Sequence, residues 1–429
     1  MKIKLYQDYK DTEIEWLPEI PKHWEVHRAK SMFNKMSRPI ALEDGIITVF
    51  RDGQVTLREN RRITGFTNAI EEYGYQGLRK GDLVFHAMDA FAGAVGVSDS
   101  DGKATAEYLV YTPINKRETH VPFYGLLLRQ MALSGFVLAL GKSVRERSPR
   151  FKHTKFVSLE LPVPPLFEQK AIAHYLDTKT AQIDRKIDLI AQKATLYSNL
   201  KQSLINETVT RGLDKTVPMK DSGVKWIGEV PEHWKVTAIA NITTTVSIKN
   251  YPDEELLSVY RDYGVIIKNT RDDNHNKAGQ NLDSYKLVEP GYLVINKMKA
   301  WQGSLGVSEF RGIVSPAYIT CRTDKRIIER GYLHHLLRCR TYINEYNRLS
   351  YGVRVDQWDM RYDDFKYVPV LLPPLSEQKT IADYLDTKTA QIDQIIQTIN
   401  TQIEKLKELR KTLINDVVTG KIKVVENEH

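Results

Sequence analysis

Basic side chains that follow predicted strands are the residues of this sequence best suited to chemistry, and that chemistry is the binding of a polyanion. Arg51 follows a β-branched stretch that predicts a strand, and Arg261 follows a similar stretch 210 positions later. A guanidinium beside a loop can fork onto a guanine base or hold a phosphate group. An ion pair with the next residue, Asp52 or Asp262, is the alternative for each arginine.

Further basic residues are candidates for nucleic-acid contact because they cluster with an aromatic residue or lie near the two Val-Arg pairs of the chain. Lys297 and Lys299 lie close in the sequence to the aromatic residue Trp301, and Arg145, Arg147 and Arg354 lie in or near the Val-Arg pairs at 144–145 and 353–354. A cation beside an aromatic ring suits contact with phosphate and base. The positions 210 residues before the lysine cluster hold Ala87, Asp89 and Phe91. Any role of that cluster is therefore not shared between the two parts of the chain.

The sequence lacks several motifs that are typical of DNA-modifying and DNA-cutting enzymes. The chain has no Asn/Asp-Pro-Pro-Tyr/Phe tetrapeptide and no Gly-x-Gly-x-x-Gly, Gly-x-Ser-x-Gly or His-Glu-x-x-His motif. The segment 135–143 resembles a phosphate loop but has five residues between its glycines, where four are required. Cys321 and Cys339 lack the paired spacing of a zinc site, so we predict no metal site and no catalytic residues.

Composition and charge are those of a multidomain globular protein that can bind a polyanion. The 429 residues carry a net charge of +8, and the sequence pI is about 9.1. The first residues have no apolar core segment, so we expect no signal peptide and a cytoplasmic protein. The most apolar window, Val121 to Leu140, carries Arg129 and Gln130 at its middle. It predicts a buried helix rather than a membrane span.

A repeated stretch organises the chain. Of the 21 residues from Pro164 to Asp184, 18 recur unchanged 209 positions later. Each copy opens with Pro-Pro and continues for about 44 residues without Gly or Pro, which predicts one long helix of roughly 66 Å. The apolar residues form a narrow seam of the coiled-coil type, so each helix needs a partner helix, and its own copy is the candidate. The seam includes Ile183, Ile187, Ile190, Ile392, Ile396, Ile399 and Ile403.

The duplication extends over the whole sequence. Trp16 to Val26 and Trp226 to Val236 share six of eleven residues, and further anchor points keep the same offset. Between these points the halves differ almost completely, which suits a frame that holds two different readers. We therefore predict a mixed α/β (α+β) fold with two similar globular domains, 1–163 and 212–372. They are separated by two long antiparallel helices, 164–211 and 373–425, with pseudo-two-fold symmetry and Gly212 to Gly223 as a linker.

Polar residues that are identical in both helices are candidates for binding two like partner proteins, because a solvated helix face has no need to be identical. They are Asp177, Thr178, Lys179, Gln182 and Asp184, with Asp386, Thr387, Lys388, Gln391 and Asp393. Recent duplication with little drift is the alternative explanation. The four tryptophans of the motif at the start of each half are expected to pack in hydrophobic cores rather than to contact DNA.

The duplicated order resembles the specificity subunit of a type I restriction-modification system. The motifs that carry the resemblance are Trp-x-x-Glu-x-Pro-x-His-Trp, Gly-Val-Arg with Trp358, and Pro-Pro-Leu-x-Glu-Gln-x-x-Ile-Ala-x-Tyr-Leu-Asp at each helix start. The resemblance implies two target recognition domains, a helical spacer and no catalytic centre. It also implies two methyltransferase subunits that bind S-adenosylmethionine and methylate adenine, and two motor-nuclease subunits that use ATP and Mg.

Two equivalent but different globules predict a bipartite, asymmetric DNA target with a fixed gap that the helices set. Phage defence by DNA methylation and restriction is the expected role. A coiled-coil scaffold that tethers proteins without reading DNA is one alternative, and salt-sensitive binding of a random duplex distinguishes the two. An enzyme with an unrecognised active site is another, for which methylation or nicking without partners is the test.

Overall fold

The structure of the protein is a computed structural model that describes residues 5–61, 74–141, 150–270, 281–352 and 358–424. The chain divides into two compact units, of which unit 1 comprises Met1–Leu189 with Gln402–His429, and unit 2 comprises Ile190–Thr401. Each unit contains the first part of one long helix and the last part of the other.

Unit 1 is built from short strands and helices around one antiparallel sheet. Its strands are β1 (Tyr9–Asp11), β2 (Glu19–Pro21), β3 (Glu25–Arg28), β4 (Phe33–Lys35), β5 (Ile47–Val49), β6 (Val55–Leu57), β7 (Gln76–Leu78), β8 (Leu83–His86), β9 (Val95–Val97), β10 (Gly102–Ala104), β11 (Tyr108–Pro113) and β12 (Glu160–Val163). Its helices are α1 (Ala29–Met32), α2 (Val121–Leu133), α3 (Phe136–Gly141), α4 (His153–Ser158) and the start of α5 (Leu166–Arg211). The central sheet has the order β4-β11-β8-β9, and four further strand pairs surround it.

Unit 2 repeats this arrangement. Its strands are β13 (Met219–Asp221), β14 (Glu229–Pro231), β15 (Lys235–Ala238), β16 (Thr243–Val246), β17 (Leu257–Tyr260), β18 (Gly264–Ile267), β19 (Lys286–Val288), β20 (Leu293–Ile295), β21 (Leu305–Val307), β22 (Gly312–Val314), β23 (Ile319–Thr323) and β24 (Pro369–Leu372). Its helices are α6 (Ile239–Ile242), α7 (Arg330–Arg338), α8 (Arg340–Leu349), α9 (Tyr362–Phe365) and the start of α10 (Leu375–Val418). The order β16-β23-β20-β21 matches that of unit 1, which confirms the predicted mixed fold with two similar domains.

The two long helices begin where the sequence predicts. Both start immediately after a Pro-Pro pair, because proline has no amide hydrogen to donate and disfavours helix in the residue before it. Helix α5 ends before Gly212, whose φ of +73° is the left-handed conformation that closes a helix. The predicted linker after it is not all irregular, since Met219–Asp221 forms a strand that pairs with Glu229–Pro231.

The long helices are antiparallel within each unit, as predicted. In unit 1, Ile172 of α5 shares a core cluster with Val417 of α10. About three turns later in α5, Asp184 binds Arg410, which lies about two turns earlier in α10. In unit 2 the Lys201 ammonium lies 2.6 Å from an Asp393 carboxylate oxygen. All seven predicted seam isoleucines are buried or half-buried, as expected for a helix covered on one side by a single partner.

The apolar window from Val121 is not one helix. It forms α2 and α3, which are separated at Ser134 and Gly135, and Gly135 has a φ of +90°. Glycine tolerates this conformation, so the chain can turn there and a continuous helix does not form. Among the described helices, none combines the length and apolar composition that a membrane span requires.

Candidate nucleic-acid interface

A concave polar surface in unit 2 brings together cations and hydrogen-bonding side chains from separate strands. The hairpin β17–β18 forms one wall, and the turn after β20 forms another, around a cavity of about 690 Å³. Arg261, Lys268 and Lys299 supply positive charge, while Asn296 and Gln302 supply amide groups. We call these five residues the unit 2 reading surface. A single amide of this kind can bind the major-groove edge of adenine through its oxygen and its nitrogen, and the cations suit phosphate or guanine.

The Arg261 guanidinium lies at the hairpin turn and is 63% exposed. It pairs with the neighbouring Asp262 at 3.2 Å, which was the predicted alternative to DNA contact. Both partners are exposed, so this ion pair contributes little stability, and a phosphate group could replace the carboxylate. Lys268, Asn296 and Gln302 were not predicted from the sequence, because strand pairing rather than a repeated motif brings them to this surface.

Unit 1 has a corresponding surface with a different charge pattern. Arg58 stands at the position equivalent to Lys268, and Asp89 stands at the position equivalent to Lys299. The Arg51 guanidinium binds Asp89 at 2.8 Å, whereas Asp52 binds Arg61 at 2.6 Å. The alternative that paired Arg51 with Asp52 is therefore wrong. The partner is 38 residues away, since the turn after β8 places Asp89 beside the β5–β6 hairpin.

The predicted cluster of Lys297, Lys299 and Trp301 is separated by the fold. Lys299 is exposed and lines the reading surface, but Lys297 forms an ion pair with Asp359 at 3.2 Å. The Trp301 ring packs at 5.3 Å from the Trp358 ring, and its indole nitrogen is buried. Of the three, Lys299 is thus best placed to meet DNA. Arg145, Arg147 and Arg354 lie outside the described residues.

A repeated arginine anchors each hairpin to the helix behind it. The Arg338 guanidinium in α7 donates to the carbonyl oxygens of Leu305 and Arg261, both at 2.8 Å. Arg129 in α2 donates to the carbonyl oxygen of Arg51 at 3.2 Å. Both arginines end a Leu-Leu-Arg sequence that occurs at 127–129 and again 209 positions later at 336–338. The hairpin turns that carry Arg51 and Arg261 are therefore fixed in equivalent positions.

The Glu-Gln pair at the start of each long helix binds the domain in front of it. Glu168 is buried and accepts hydrogen bonds from the Tyr6 hydroxyl at 2.9 Å and the Trp24 indole at 3.0 Å, and its other oxygen lies 2.6 Å from the His23 ring. Gln169 accepts from the backbone amide of His120. Burial, followed by the charge of Glu168, raises the pKa of the Tyr6 phenol, so this group remains a donor.

The same contacts recur in unit 2, where Glu377 binds the Trp234 indole at 3.1 Å and the His233 ring at 2.8 Å. Gln378 accepts from the Glu329 amide. These bonds account for the His-Trp that ends the motif Trp-x-x-Glu-x-Pro-x-His-Trp and for the repeated glutamate of Glu-Gln, because these residues are two sides of one contact. Trp24 and Trp234 are fully buried, as expected for core residues.

The ten polar residues proposed for partner binding fall into two groups. Three of them are used inside a unit, since Asp184 binds Arg410, Asp393 binds Lys201 and the Asp386 carboxylate binds His335 at 2.7 Å. The other seven are exposed or half-exposed, and they are Asp177, Thr178, Lys179, Gln182, Thr387, Lys388 and Gln391. Ion pairs within a unit thus explain why the first group is present in both helices. The Thr-Lys-Gln set, which is Thr178, Lys179 and Gln182 in α5 and Thr387, Lys388 and Gln391 in α10, remains accessible in both copies.

No group of three metal-ligating side chains occurs in the part of the chain that the structure describes. His334 and His335 follow one another in α7, and only His335 has a carboxylate partner. Burial and the nearby Arg338 charge lower the pKa of His334 to about 3. Its imidazole is therefore neutral in the folded protein at physiological pH.

His334 should make unit 2 sensitive to acid. Below pH 6.5 the unfolded chain gains a proton at this residue that the folded unit does not gain, so stability is lost as pH falls from 6.5 towards 3. We expect a loss of about 1 to 2 kcal/mol at pH 5. Urea denaturation of wild type and His334→Gln at pH 7 and pH 5 measures it. An equal loss for both proteins would show that His334 is protonated in the fold.

Comparisons with known proteins agree with this geometry. A family model for the type I restriction modification DNA specificity domain matches residues 21–194 and 231–405. The type I restriction enzyme MjaVIII specificity subunit of Methanocaldococcus jannaschii is 26% identical over 70% of this chain and 70% of its own length.

Two solved structures have a similar fold. A chain from a structure on complex assembly and conformational transition of the type I R-M system matches with a TM-score of 0.68 and 16% identity, over 94% of this chain and 99% of that chain. The HsdS subunit from Thermoanaerobacter tengcongensis matches with a TM-score of 0.57 and 17% identity, over 94% and 98%.

Proposed function

This chain belongs to the type I restriction-modification DNA specificity family, and from that premise we propose that it is a non-catalytic subunit that reads a bipartite, asymmetric DNA target. Each unit would contact one half-site. The observation that supports this proposal is the pair of corresponding surfaces on β5–β6 and β17–β18. Both carry cations at equivalent positions, Arg51 with Arg58 and Arg261 with Lys268, while the neighbouring residues differ.

Residues that the two units share and residues that differ between them would have different roles in DNA recognition. Cations that both units keep would bind phosphate and position each unit on the duplex. The residues that differ, Asn296 and Gln302 in unit 2 against His86 and Ala92 in unit 1, would face the bases and give each unit its own sequence preference. Because the two surfaces differ, the two half-sites would differ as well.

Binding of DNA by the full-length chain tests the proposal against the scaffold alternative. We expect the chain to bind a duplex with an affinity that falls steeply as salt increases, since each phosphate contact releases counterions. Fluorescence anisotropy with a random duplex at several salt concentrations measures the slope. An affinity that does not depend on salt, or no binding, would favour a scaffold that does not read DNA.

The partner subunits would supply the chemistry. We propose that two methyltransferase subunits, which use S-adenosylmethionine, bind the exposed Thr-Lys-Gln sets at Thr178 and Thr387. Motor-nuclease subunits would add ATP and Mg for cleavage. Equivalent residues at equivalent places in two helices suit two copies of one partner. Mapping methylated adenines in the host genome with and without this chain identifies the target.

The long helices would set the gap between the half-sites. Four residues inserted between Gln192 and Tyr197 add about one helical turn, or 6 Å. A matching insertion after Ile399 of α10 keeps the ion pair between Lys201 and Asp393 in register. We expect the preferred gap to lengthen by about one or two base pairs. A survey of methylated sites measures the gap, and alanine substitution of 193–196 without insertion is the control. An unchanged gap would contradict the spacer role.

A further inference from the structure

Unit 1 contains a cavity of about 630 Å³ between α2, the hairpin β5–β6 and the two long helices. This size lies within the range of small-molecule sites. Val97, Leu126, Ala173 and Ile414 give it apolar walls. We call it the junction cavity. All its lining residues belong to unit 1, and none of them lines the unit 2 reading surface.

The corresponding place in unit 2 is largely filled. The cavity there is about 200 Å³ and is lined by Tyr263 and His334, which stand at the positions of Gly53 and Gly125. The His334 ring packs against Gly264 and Gly306, so its volume occupies the space that unit 1 leaves open. Two glycines in unit 1 thus maintain a cavity that the repeated frame does not require.

The charge of the junction cavity favours an anion. Arg129, Arg410 and Lys170 line it, and the Arg410 charge contributes to a lowered pKa of Arg129, after burial as the larger cause. Two carboxylates, Asp52 and Asp177, also line the cavity. Asp52 is bound to Arg61, and Arg410 is bound on its other side to Asp184 at 2.9 Å, so three cations face two carboxylates. At the positions of His120 and His174, unit 2 has Glu329 and Asp383. Unit 1 thus has histidines where the sequence of unit 2 has carboxylates, although neither Glu329 nor Asp383 lines the smaller unit 2 cavity.

Arg129 makes fewer hydrogen bonds than Arg338, which stands at the equivalent position in unit 2. Arg338 donates to four backbone carbonyl oxygens. Arg129 donates to one, and its buried Nε has no acceptor among the residues that the structure describes. A buried guanidinium nitrogen without an acceptor is costly, and a bound anion would remove that cost.

We propose that the junction cavity binds a small organic anion, with an apolar body against Val97 and Ile414 and a phosphate or carboxylate between Arg129 and Arg410. Because the corresponding cavity of unit 2 is largely filled, a ligand in the junction cavity would act on one unit of the pair. Its cations come from the helices, Arg129 from α2, Lys170 from α5 and Arg410 from α10, whereas the β5–β6 hairpin contributes Asp52 and Gly53 to its wall.

Phenyl phosphate is the probe for this site, and phenol is its neutral counterpart. Isothermal titration calorimetry of the full-length chain should show saturable binding of phenyl phosphate to one site, with phenol at least about tenfold weaker because it lacks the charged group. Gly125→His should abolish binding, since it places in unit 1 the side chain that fills unit 2. Equal binding of both compounds, or no saturable binding, would overturn the proposal.

Matched arginine and lysine variants keep the test decisive if Gly125→His fails to fold. Arg410→Gln should weaken phenyl phosphate binding about tenfold. Lys201→Gln removes the equivalent charge in unit 2, which likewise pairs with an aspartate, and should leave binding unchanged. Lys268→Gln tests whether the probe binds the reading surface instead. Binding that is insensitive to Arg410→Gln, or that is lost with Lys268→Gln, would contradict the site.

Discussion

Glu168→Ala is expected to destabilise unit 1 by about 4 kcal/mol, because it removes the acceptor of buried hydrogen bonds. The Tyr6 hydroxyl and the Trp24 indole both donate to this carboxylate, and the Glu168 side chain is 8% exposed. Without it, two buried donors lose their acceptor and neither is placed to reach water. The melting temperature of unit 1 should fall by roughly 10 °C in differential scanning calorimetry.

The repeat provides a matched control in Glu377→Ala. Glu377 accepts the equivalent bonds from Trp234 and His233, but its side chain is 28% exposed, and among the described residues no tyrosine donates to it as Tyr6 does to Glu168. Water can replace part of what is lost, so we expect about 2 kcal/mol. Equal effects of the two substitutions would show that burial and the tyrosine bond do not determine the cost.

The sequence predicted the positions of helices and strands better than it predicted contacts between distant residues. Helix starts at Leu166 and Leu375 follow from local covalent chemistry, since proline restricts the residues around it. The strands at Ile47 and Leu257 follow from β-branched residues that flank a turn. These features depend on a few neighbouring residues and can therefore be derived without knowledge of the tertiary fold.

Contacts between distant residues could not be derived in this way. The partner of Arg51 is Asp89, and the partner of Glu168 is Trp24, 144 residues away. Repetition did carry a signal, because Glu-Gln and Leu-Leu-Arg are identical in both copies and each makes at least one equivalent bond in both units. Identity between repeats thus indicated where a contact is essential, but not which residue completes it.

The residues of the reading surfaces could not be predicted by comparing the two repeats. Lys268 lies in a segment where the halves scarcely align, and Asn296 lies in an aligned segment but aligns with a different residue, His86, in the other half, so comparison of the repeats gave no indication of either. Strand pairing places Lys268 directly after β18 and Asn296 directly after β20, at one cavity. The frame is alike because it holds two units in equivalent folds, whereas in the proposed function the recognition residues would differ to read different half-sites. The residues proposed to give sequence specificity are therefore the hardest to predict from an internal repeat.

Loss of Lys268 and Lys299 together is expected to weaken binding of every duplex by roughly 50-fold at 0.1 M salt. Each phosphate contact contributes about 0.9 to the slope of log affinity against log salt, so the slope should decrease by about 1.8. The variant is Lys268→Gln with Lys299→Gln, and fluorescence anisotropy over a salt series measures both quantities. Since phosphate carries no sequence information, cognate and random duplexes should be affected alike.

The control for this variant removes the same charge elsewhere in unit 2. Lys325 and Arg326 are exposed at the turn after β23 and do not line the reading surface, so Lys325→Gln with Arg326→Gln should leave affinity within about twofold. Asn296→Ala should show the complementary effect, with discrimination at one base pair reduced by about 1 to 3 kcal/mol and random binding preserved. If the control weakens binding as much as the lysine pair, net charge rather than this surface accounts for DNA affinity. If Asn296→Ala leaves the preferred sequence unchanged, the bases are read elsewhere in unit 2.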